Sequence, residues 1–270
     1  MRETSMLRTK AGPGAEVHPT AIVDPSARLG EGVRVGAYAI IGPNVTIGED
    51  TTVGPHVLIE RETQVGAECF LAKGAVLGTD PQDLKYQGEA TSLVVGDRTV
   101  IREYATLNRG TAARGRTEVG SDCLLMAYVH VAHDCVVGDH VVLSNAVNMA
   151  GHVLIGDHAI VGGLTAIHQF VRIGCHAFVG GASRVPKDVP PYLKAAGNPM
   201  QLYGLNGVGL QRRGFSEEVR VQLKRAYRIF FLSQLNVSQA VERVRDELPA
   251  SPELETFLSF VEESERGILV

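Results

Sequence analysis

Nine histidines occur in the chain, six of them between 130 and 168, and four of these, His130, His133, His152 and His168, lie close in sequence to Asp134, Gly151 or Gln169. Their spacing is regular. His133, Gly151 and Gln169 follow one another at intervals of 18 residues, and Asp134 and His152 are 18 apart as well. An element that repeats every 18 residues would stack a histidine, a glycine and a carboxamide in one column, with His152 directly above Asp134. Imidazole titrates near neutral pH and serves as a general base, and a glycine lets a ligand come close to a backbone N–H. These are the needs of acyl transfer: a base for the attacking group and a donor for the tetrahedral oxyanion. Two other readings use the same residue types. A histidine at a turn is often no more than a polar turn residue, the reading that suits His18, His56, His140, His158 and His176. His130, His133 and His152 could supply ligands to zinc or a related ion. The 18-residue register puts a glycine rather than a ligand beside His133, so neither a metal nor any other cofactor is expected.

The element that sets this register is a six-residue repeat. Stepping by six from Val17 to Val185 visits 29 positions, of which 25 are Leu, Ile or Val and another is Met149; the misses are Asp83, Glu89 and Ala113, in loop-like stretches at 79–92 and 109–118. Gly follows the aliphatic residue 14 times, as in Leu29-Gly30, Val35-Gly36 and Ile41-Gly42. A period of six matches neither an α-helix nor simple strand alternation. It fits a short strand plus a corner, with one aliphatic side chain per hexad pointing inward and the adjoining Gly, or another small or polar residue, making the turn. Three sides close a triangular coil of 18 residues, and roughly nine coils stacked at about 4.8 Å give a prism about 43 Å tall. Its narrow interior suits a chain with 34 Val, no Trp and only 6% aromatics. The pattern resembles the hexapeptide-repeat family of left-handed parallel β-helices, most of them acyltransferases and usually trimers. That resemblance supplies the handedness and the homotrimer.

Past Val185 the texture changes at Pro186, Pro190 and Pro191. Ser216-Glu217-Glu218 starts a helix with Val219, Leu223, Ala226, Tyr227 and Phe230 at helical spacing. A second helix is expected from about Val237 to Glu247, and Ser251-Pro252-Glu253 opens a third. The division expected is a disordered 1–16, an all-β left-handed parallel β-helix over 17–189 and an α-helical domain over 190–270. Between 212 and 228 there are six basic and two acidic residues, whereas 231–270 carries three basic and eight acidic. Such asymmetry reads either as solvated helix faces or as a docking patch for an acidic partner. The net charge of −4 gives no global reason to expect nucleic acid or an anionic membrane. Four cysteines without a CxxC, an N-terminus lacking an apolar signal core, and no run of 18 apolar residues point to a reduced cytoplasmic protein without stable membrane insertion.

More specific motifs narrow the resemblance. They are Leu125-Met126-Ala127-Tyr128-Val129-His130-Val131-Ala132-His133-Asp134-Cys135, Pro81-Gln82-Asp83-Leu84-Lys85-Tyr86-Gln87-Gly88-Glu89, Ala150-Gly151-His152, Ala166-Ile167-His168-Gln169-Phe170 and Arg212-Arg213-Gly214-Phe215. Together they resemble the UDP-N-acetylglucosamine acyltransferase family, which opens lipid A synthesis, over essentially all of the chain after about residue 16. The resemblance implies that His133 is the general base for the glucosamine 3-hydroxyl, Asp134 its supporting acid and Gly151 the oxyanion N–H. It implies that Asp83, His130, His152, His168 and Gln169 line the sugar, diphosphate and pantetheine channel, joined by Gln82 and Lys85 from a loop. Asn206, Arg212 and Arg213 match nucleotide and carrier contacts, which gives the basic stretch an acidic partner, acyl carrier protein. Gly181 matches the acyl-chain ruler, and without a side chain it favours a longer chain, nearer fourteen carbons than ten.

Two positions depart from the better-known enterobacterial pattern: Pro199 stands in place of His and Val208 in place of Glu. They leave open the details of uridine recognition and whether the acceptor carries a 3-hydroxyl or a 3-amino group. The rivals are a related N-acyltransferase, which usually has a separate uridine-binding domain before the repeat, a metal-dependent hydratase of the carbonic anhydrase type, and a scaffolding β-helix.

Overall fold

The computed structural model describes residues 10–269. Its larger part is a left-handed parallel β-helix whose three faces are sheets of nine, eleven and nine strands. Most strands are two residues long, and the second residue points inward, as in Arg28–Leu29 and Thr46–Ile47. The ordinary register is 18 residues, Leu29 opposite Ile47 and Val131 opposite Met149. At the two frame breaks Val65 pairs with Val95 and Val95 with Val119, steps of 30 and 24. The extra 12 and 6 residues are whole hexads, so the aliphatic frame survives both loops.

The frame residues are buried, Leu29 at 4% exposure and Ile47 at 1%. A second inward position four residues later takes small side chains, among them Val33, Ala39, Thr51, Cys69, Cys123 and Cys135. This division of large and small is what a triangular lumen holds at native packing density. The cysteine Sγ atoms of Cys69, Cys123 and Cys135 reach carbonyls of neighbouring coils at 3.1, 3.1 and 3.2 Å. Burial pushes the Cys123 thiol up to about 11 and the Cys135 thiol up to about 12. Neither is a ready nucleophile at neutral pH.

The corners are built differently from the sequence expectation. The left-handed residue lies three positions after the frame residue, as at Asp134, His152 and Phe170 (φ 59°, 63° and 63°) or His140, His158 and His176 (57°, 61° and 55°). The glycine directly after the frame residue serves coil stacking instead. A Cβ at Gly30 would sit 2.7 Å from the Glu49 nitrogen of the next coil, closer than any real contact.

The described part of the first coil includes Lys10–Ala11, paired with Arg28–Leu29, so the β-helix begins before the expected boundary at 17; residues 1–9 lie outside the described part. The C-terminal boundary also differs. Leu193–Gly197 continues the second sheet and folds back as an antiparallel hairpin with Met200–Leu205 before any helix begins. Four helices follow: α1 (Gly207–Arg212), α2 (Glu217–Leu232), α3 (Val237–Glu247) and α4 (Pro252–Glu262). Helices α2 to α4 match the expected starts and carry side-chain caps at Ser216, Asn236 and Ser251. Helix α1 escaped because two glycines in six residues disfavour a helix; the side chain of Asn206 accepts from the Gly209 N–H to cap it. The helices pack their own core around Leu223, Phe230, Val244 and Phe257. No described helix is long and apolar enough to cross a membrane.

Candidate active site

The edge between the third and first sheets carries the candidate column. Both long loops leave the prism along it, because 79–92 and 109–118 each follow a third-sheet strand, Val76–Thr79 and Thr106–Asn108. His133 and Asp134 form one corner of this edge, and Gly151 and His152 the next. The His152 N–H donates to the His133 carbonyl at 3.0 Å, and the Phe170 N–H to the Gly151 carbonyl at 3.2 Å. The stacking of His133, Gly151 and Gln169 read from the 18-residue spacing is therefore the stacking observed.

His133 Nδ1 lies 2.8 Å from Asp134 Oδ2. Asp134 is fully buried, which raises its pKa, but hydrogen bonds from Thr111 and His133 outweigh the burial and hold the carboxyl below the ordinary range. An ionised carboxylate can only accept, so His133 donates from Nδ1, and the neutral imidazole in this arrangement presents a bare Nε2. That nitrogen lies over Gly151: a Cβ there would meet His133 Cε1 at 2.5 Å and Nε2 at 2.7 Å. The Gly151 N–H has no hydrogen-bond partner among the described residues. A proton acceptor and a free amide donor thus share one small volume.

Asp134 is held from the second loop. The Thr111 N–H donates to Oδ1 at 2.9 Å and the Thr111 hydroxyl to Oδ2 at 2.7 Å, while the Thr117 hydroxyl accepts from the Asp134 N–H at 2.9 Å. The sequence reading missed Thr111; the 24-residue step across 109–118 was the signal that places it beside Asp134. Arg109 was missed too. Its side chain is 1% exposed and donates to the Gly78 carbonyl, to Asp80 and to the Tyr86 hydroxyl, anchoring the first loop to the prism.

His152 packs edge-on against His133 (ring centroids 5.1 Å apart) and face-on against Phe170 (4.5 Å). Burial lowers its pKa, with Asp134 opposing, and the charge of Asp83 is also felt there. His130 Nδ1 lies 2.8 Å from the Thr106 hydroxyl, and burial followed by His133 lowers its pKa. Gln82 and Lys85 are exposed on the loop, and Asp83 accepts from the Lys85 N–H at 3.0 Å. His168 and Gln169 complete this edge.

The donors considered for a metal are engaged with one another. His133, Asp134 and His152 lie within 4.8 Å of one another. Three hydrogen bonds from Thr111 and His133 already satisfy most of the Asp134 carboxylate, and His130 Nδ1 is engaged with Thr106, so the group is ordered by its own hydrogen bonds.

Other candidates lie on other edges. His140, His158 and His176 stack along the first–second edge at 4.6 and 4.7 Å, and Arg213 Nη1 reaches His158 Nδ1 at 2.6 Å. Arg212 is exposed at the end of α1, and the Asn206 amide is occupied by the His176 carbonyl and the helix cap. Gly181 belongs to the second–third edge, in line with exposed Leu164, Tyr128, Tyr104 and Tyr38. Pro199 stands in the hairpin turn, and Val208 is 64% exposed on α1.

The histidine stack gives the fold an acid sensitivity. Burial, followed by His158 and Arg213, pushes His176 from 6.5 down to about 4. The folded state favours its neutral form, so this contribution to stability is complete above pH 6.5 and is lost as pH falls from there through about 4. The thermal midpoint of His176→Phe, which keeps a stacking ring without the titration, is expected to fall less steeply over that window than the native midpoint. Parallel curves would exclude this role.

Comparison with known proteins follows these features closely. The family model described as Udp N-acetylglucosamine O-acyltransferase, domain 2, matches residues 188–269, and the bacterial transferase hexapeptide model matches 26–61 and 116–151. A relative from Chlorobaculum tepidum, named as an acyl-(acyl-carrier-protein) UDP-N-acetylglucosamine O-acyltransferase, is 63% identical over 90% of this chain and 93% of its own. The UDP-N-acetylglucosamine acyltransferase structure from Bacteroides fragilis superposes with a TM-score of 0.93 at 42% identity, covering 94% of this chain and all of that one. The corresponding structure from Acinetobacter baumannii gives 0.92 at 44% identity, covering 94% and 99%.

Proposed function

The chain belongs to the UDP-N-acetylglucosamine O-acyltransferase family, and from that premise we propose that it moves an (R)-3-hydroxyacyl group from acyl carrier protein to the glucosamine 3-hydroxyl of UDP-N-acetylglucosamine, the first step of lipid A synthesis. The observation that carries this reading is the bare His133 Nε2 set over the free Gly151 N–H. His133 takes the proton of the 3-hydroxyl as its oxygen attacks the thioester carbonyl. The C–O bond forms, the Gly151 N–H holds the oxyanion, the C–S bond breaks, and His133 returns the proton to the departing carrier thiol. Asp134 keeps the imidazole in the required tautomer throughout. Asp83, Gln82, Lys85, His130, His152, His168 and Gln169 bind the sugar, diphosphate and pantetheine along the same edge.

A homotrimer accounts for the spread of the remaining candidates. Arg213 and Gly181 stand on the two edges that His133 does not, so one prism cannot bring the three together. Adjacent copies can, and the exposed Tyr38, Tyr104, Tyr128 and Leu164 supply an apolar edge for such a contact. Asn206, Arg212 and Arg213 then serve nucleotide and carrier from a neighbouring copy. Arg220, Lys224 and Arg228 line a cavity of about 520 Å³ with Tyr203 and Tyr227, a basic surface suited to the acidic carrier.

The test is an assay of purified protein with UDP-N-acetylglucosamine, its 3-amino analogue and a panel of (R)-3-hydroxyacyl carrier proteins. An ester at the 3-oxygen is expected; product from the amino analogue alone, or from no donor, would contradict the reading. The same panel examines Gly181 as the acyl-chain ruler. Its φ is ordinary, and an added Cβ would meet the Gly163 carbonyl at 3.1 Å, a contact that a shift of a few tenths of an ångström relieves. Gly181→Met is expected to move preference from donors near fourteen carbons toward about ten. An unchanged chain-length profile would remove Gly181 from that role.

A further inference from the structure

Residues 264–269 return to the β-helix beside the candidate column. Ser264 donates to Asp188 at 2.7 Å, the Asp188 N–H donates to the Gly267 carbonyl at 3.1 Å, and Leu269 packs into the β-helix core. These contacts hold Arg266 over the third–first edge, where its Nε donates to the Pro186 carbonyl at 3.0 Å and its Nη2 lies 2.8 Å from His168 Nδ1. His168 directly precedes Gln169, which stacks in register with Gly151.

A guanidinium has five donors and no acceptor, and it stays protonated in proteins. Its 2.8 Å contact with His168 is therefore a hydrogen bond only when Nδ1 is the acceptor. The carbonyl of Gln169, 3.2 Å from the same nitrogen, would require the opposite arrangement, and the always-charged donor at shorter range decides between them. The proton of His168 then sits on Nε2. His133 has the reverse assignment, Nδ1–H against Asp134 with Nε2 bare.

We infer that Arg266 is a positioning residue that fixes His168 as a neutral Nε2–H donor, so that one edge presents an imidazole acceptor at His133 and an imidazole donor at His168. The donor suits a substrate oxygen, a phosphoryl or carbonyl oxygen in the channel. This assignment rests on the proposed function for the identity of the substrate and on geometry alone for the tautomer.

A double-mutant cycle in kcat/KM is the first test. Arg266→Ala is expected to lose about 10- to 100-fold, by analogy with the loss when the partner that orients a metal-bound histidine is removed. It should lose nothing further in a His168→Ala background, and Arg266→Lys, which keeps a donor, should recover part of the loss. Losses that simply multiply, or wild-type kcat/KM in Arg266→Ala, would overturn the inference. The second test needs no turnover. Ring 15N spectra of histidine-labelled protein, with His168→Asn for assignment, should show Nε2 of His168 protonated in the native chain and a change of tautomer population in Arg266→Ala. A protonated Nδ1 in the native chain would overturn the inference even if the proposed reaction stands. A correct tautomer in a protein that does not acylate UDP-N-acetylglucosamine would locate the failure in the proposed function.

Discussion

His133→Asn lowers kcat by about 10²- to 10⁴-fold, the range that a positioned general base contributes, while the protein stays folded. Asparagine is the informative replacement because its amide N–H can still donate to Asp134, so the buried carboxylate keeps its partners from Thr111 and regains one at position 133. What disappears is the bare nitrogen over Gly151. The effect belongs in kcat and kcat/KM together, since the proton moves only as the transition state forms. Steady-state kinetics with saturating acceptor, alongside a thermal melt, reads both. Native kcat in His133→Asn would show that the proton leaves by another route.

Gly151→Ala is expected to be nearly as damaging, about 10²-fold or more in kcat, the low end of what a displaced general base costs, although the backbone N–H is kept. The reason is steric rather than conformational. Gly151 has an ordinary φ, so alanine can adopt its backbone, but the methyl would stand 2.5 Å from His133 Cε1 and 2.7 Å from Nε2. His133 is tied to Asp134 and edged by His152, so the imidazole can turn away only by giving up its orienting hydrogen bond. The expected signature is a large fall in kcat with a small change in thermal midpoint. Native turnover in Gly151→Ala would mean that the imidazole does not act from above this glycine.

The column is legible in the amino-acid sequence because two regularities coincide in it. The aliphatic ladder from Val17 to Val185 sets an 18-residue coil, and His133, Gly151 and Gln169 obey that interval, so their stacking is a consequence of period alone. The helices after Ser216 are legible through their caps. What the period cannot give is whatever interrupts it or arrives from far along the chain. Thr111 reaches Asp134 across a 24-residue coil, Arg109 is buried beneath a loop that leaves the frame, and Arg266 meets His168 across 98 residues. The hairpin of Leu193–Gly197 and Met200–Leu205 lies where prolines end the frame, yet its first strand resumes pairing with Phe178–Val179. The glycines mislead in a different way: their position beside each frame residue suggests the bend, whereas the backbone turns two residues later and the glycine makes room for the coil above.

In the proposed reaction the acyl group passes directly from carrier to sugar, and His133 handles a proton and never the acyl group. The cysteines support this, since Cys69, Cys123 and Cys135 are buried in the lumen with their thiols pushed upward, and Cys175 is pushed the same way. The most direct test is to mix the enzyme with (R)-3-hydroxyacyl carrier protein in the absence of acceptor and follow both proteins by intact mass. Direct transfer predicts an unchanged enzyme mass, with free carrier thiol appearing when UDP-N-acetylglucosamine is added. An enzyme that gains the acyl mass without acceptor, and passes it on when acceptor is supplied, would contradict the account.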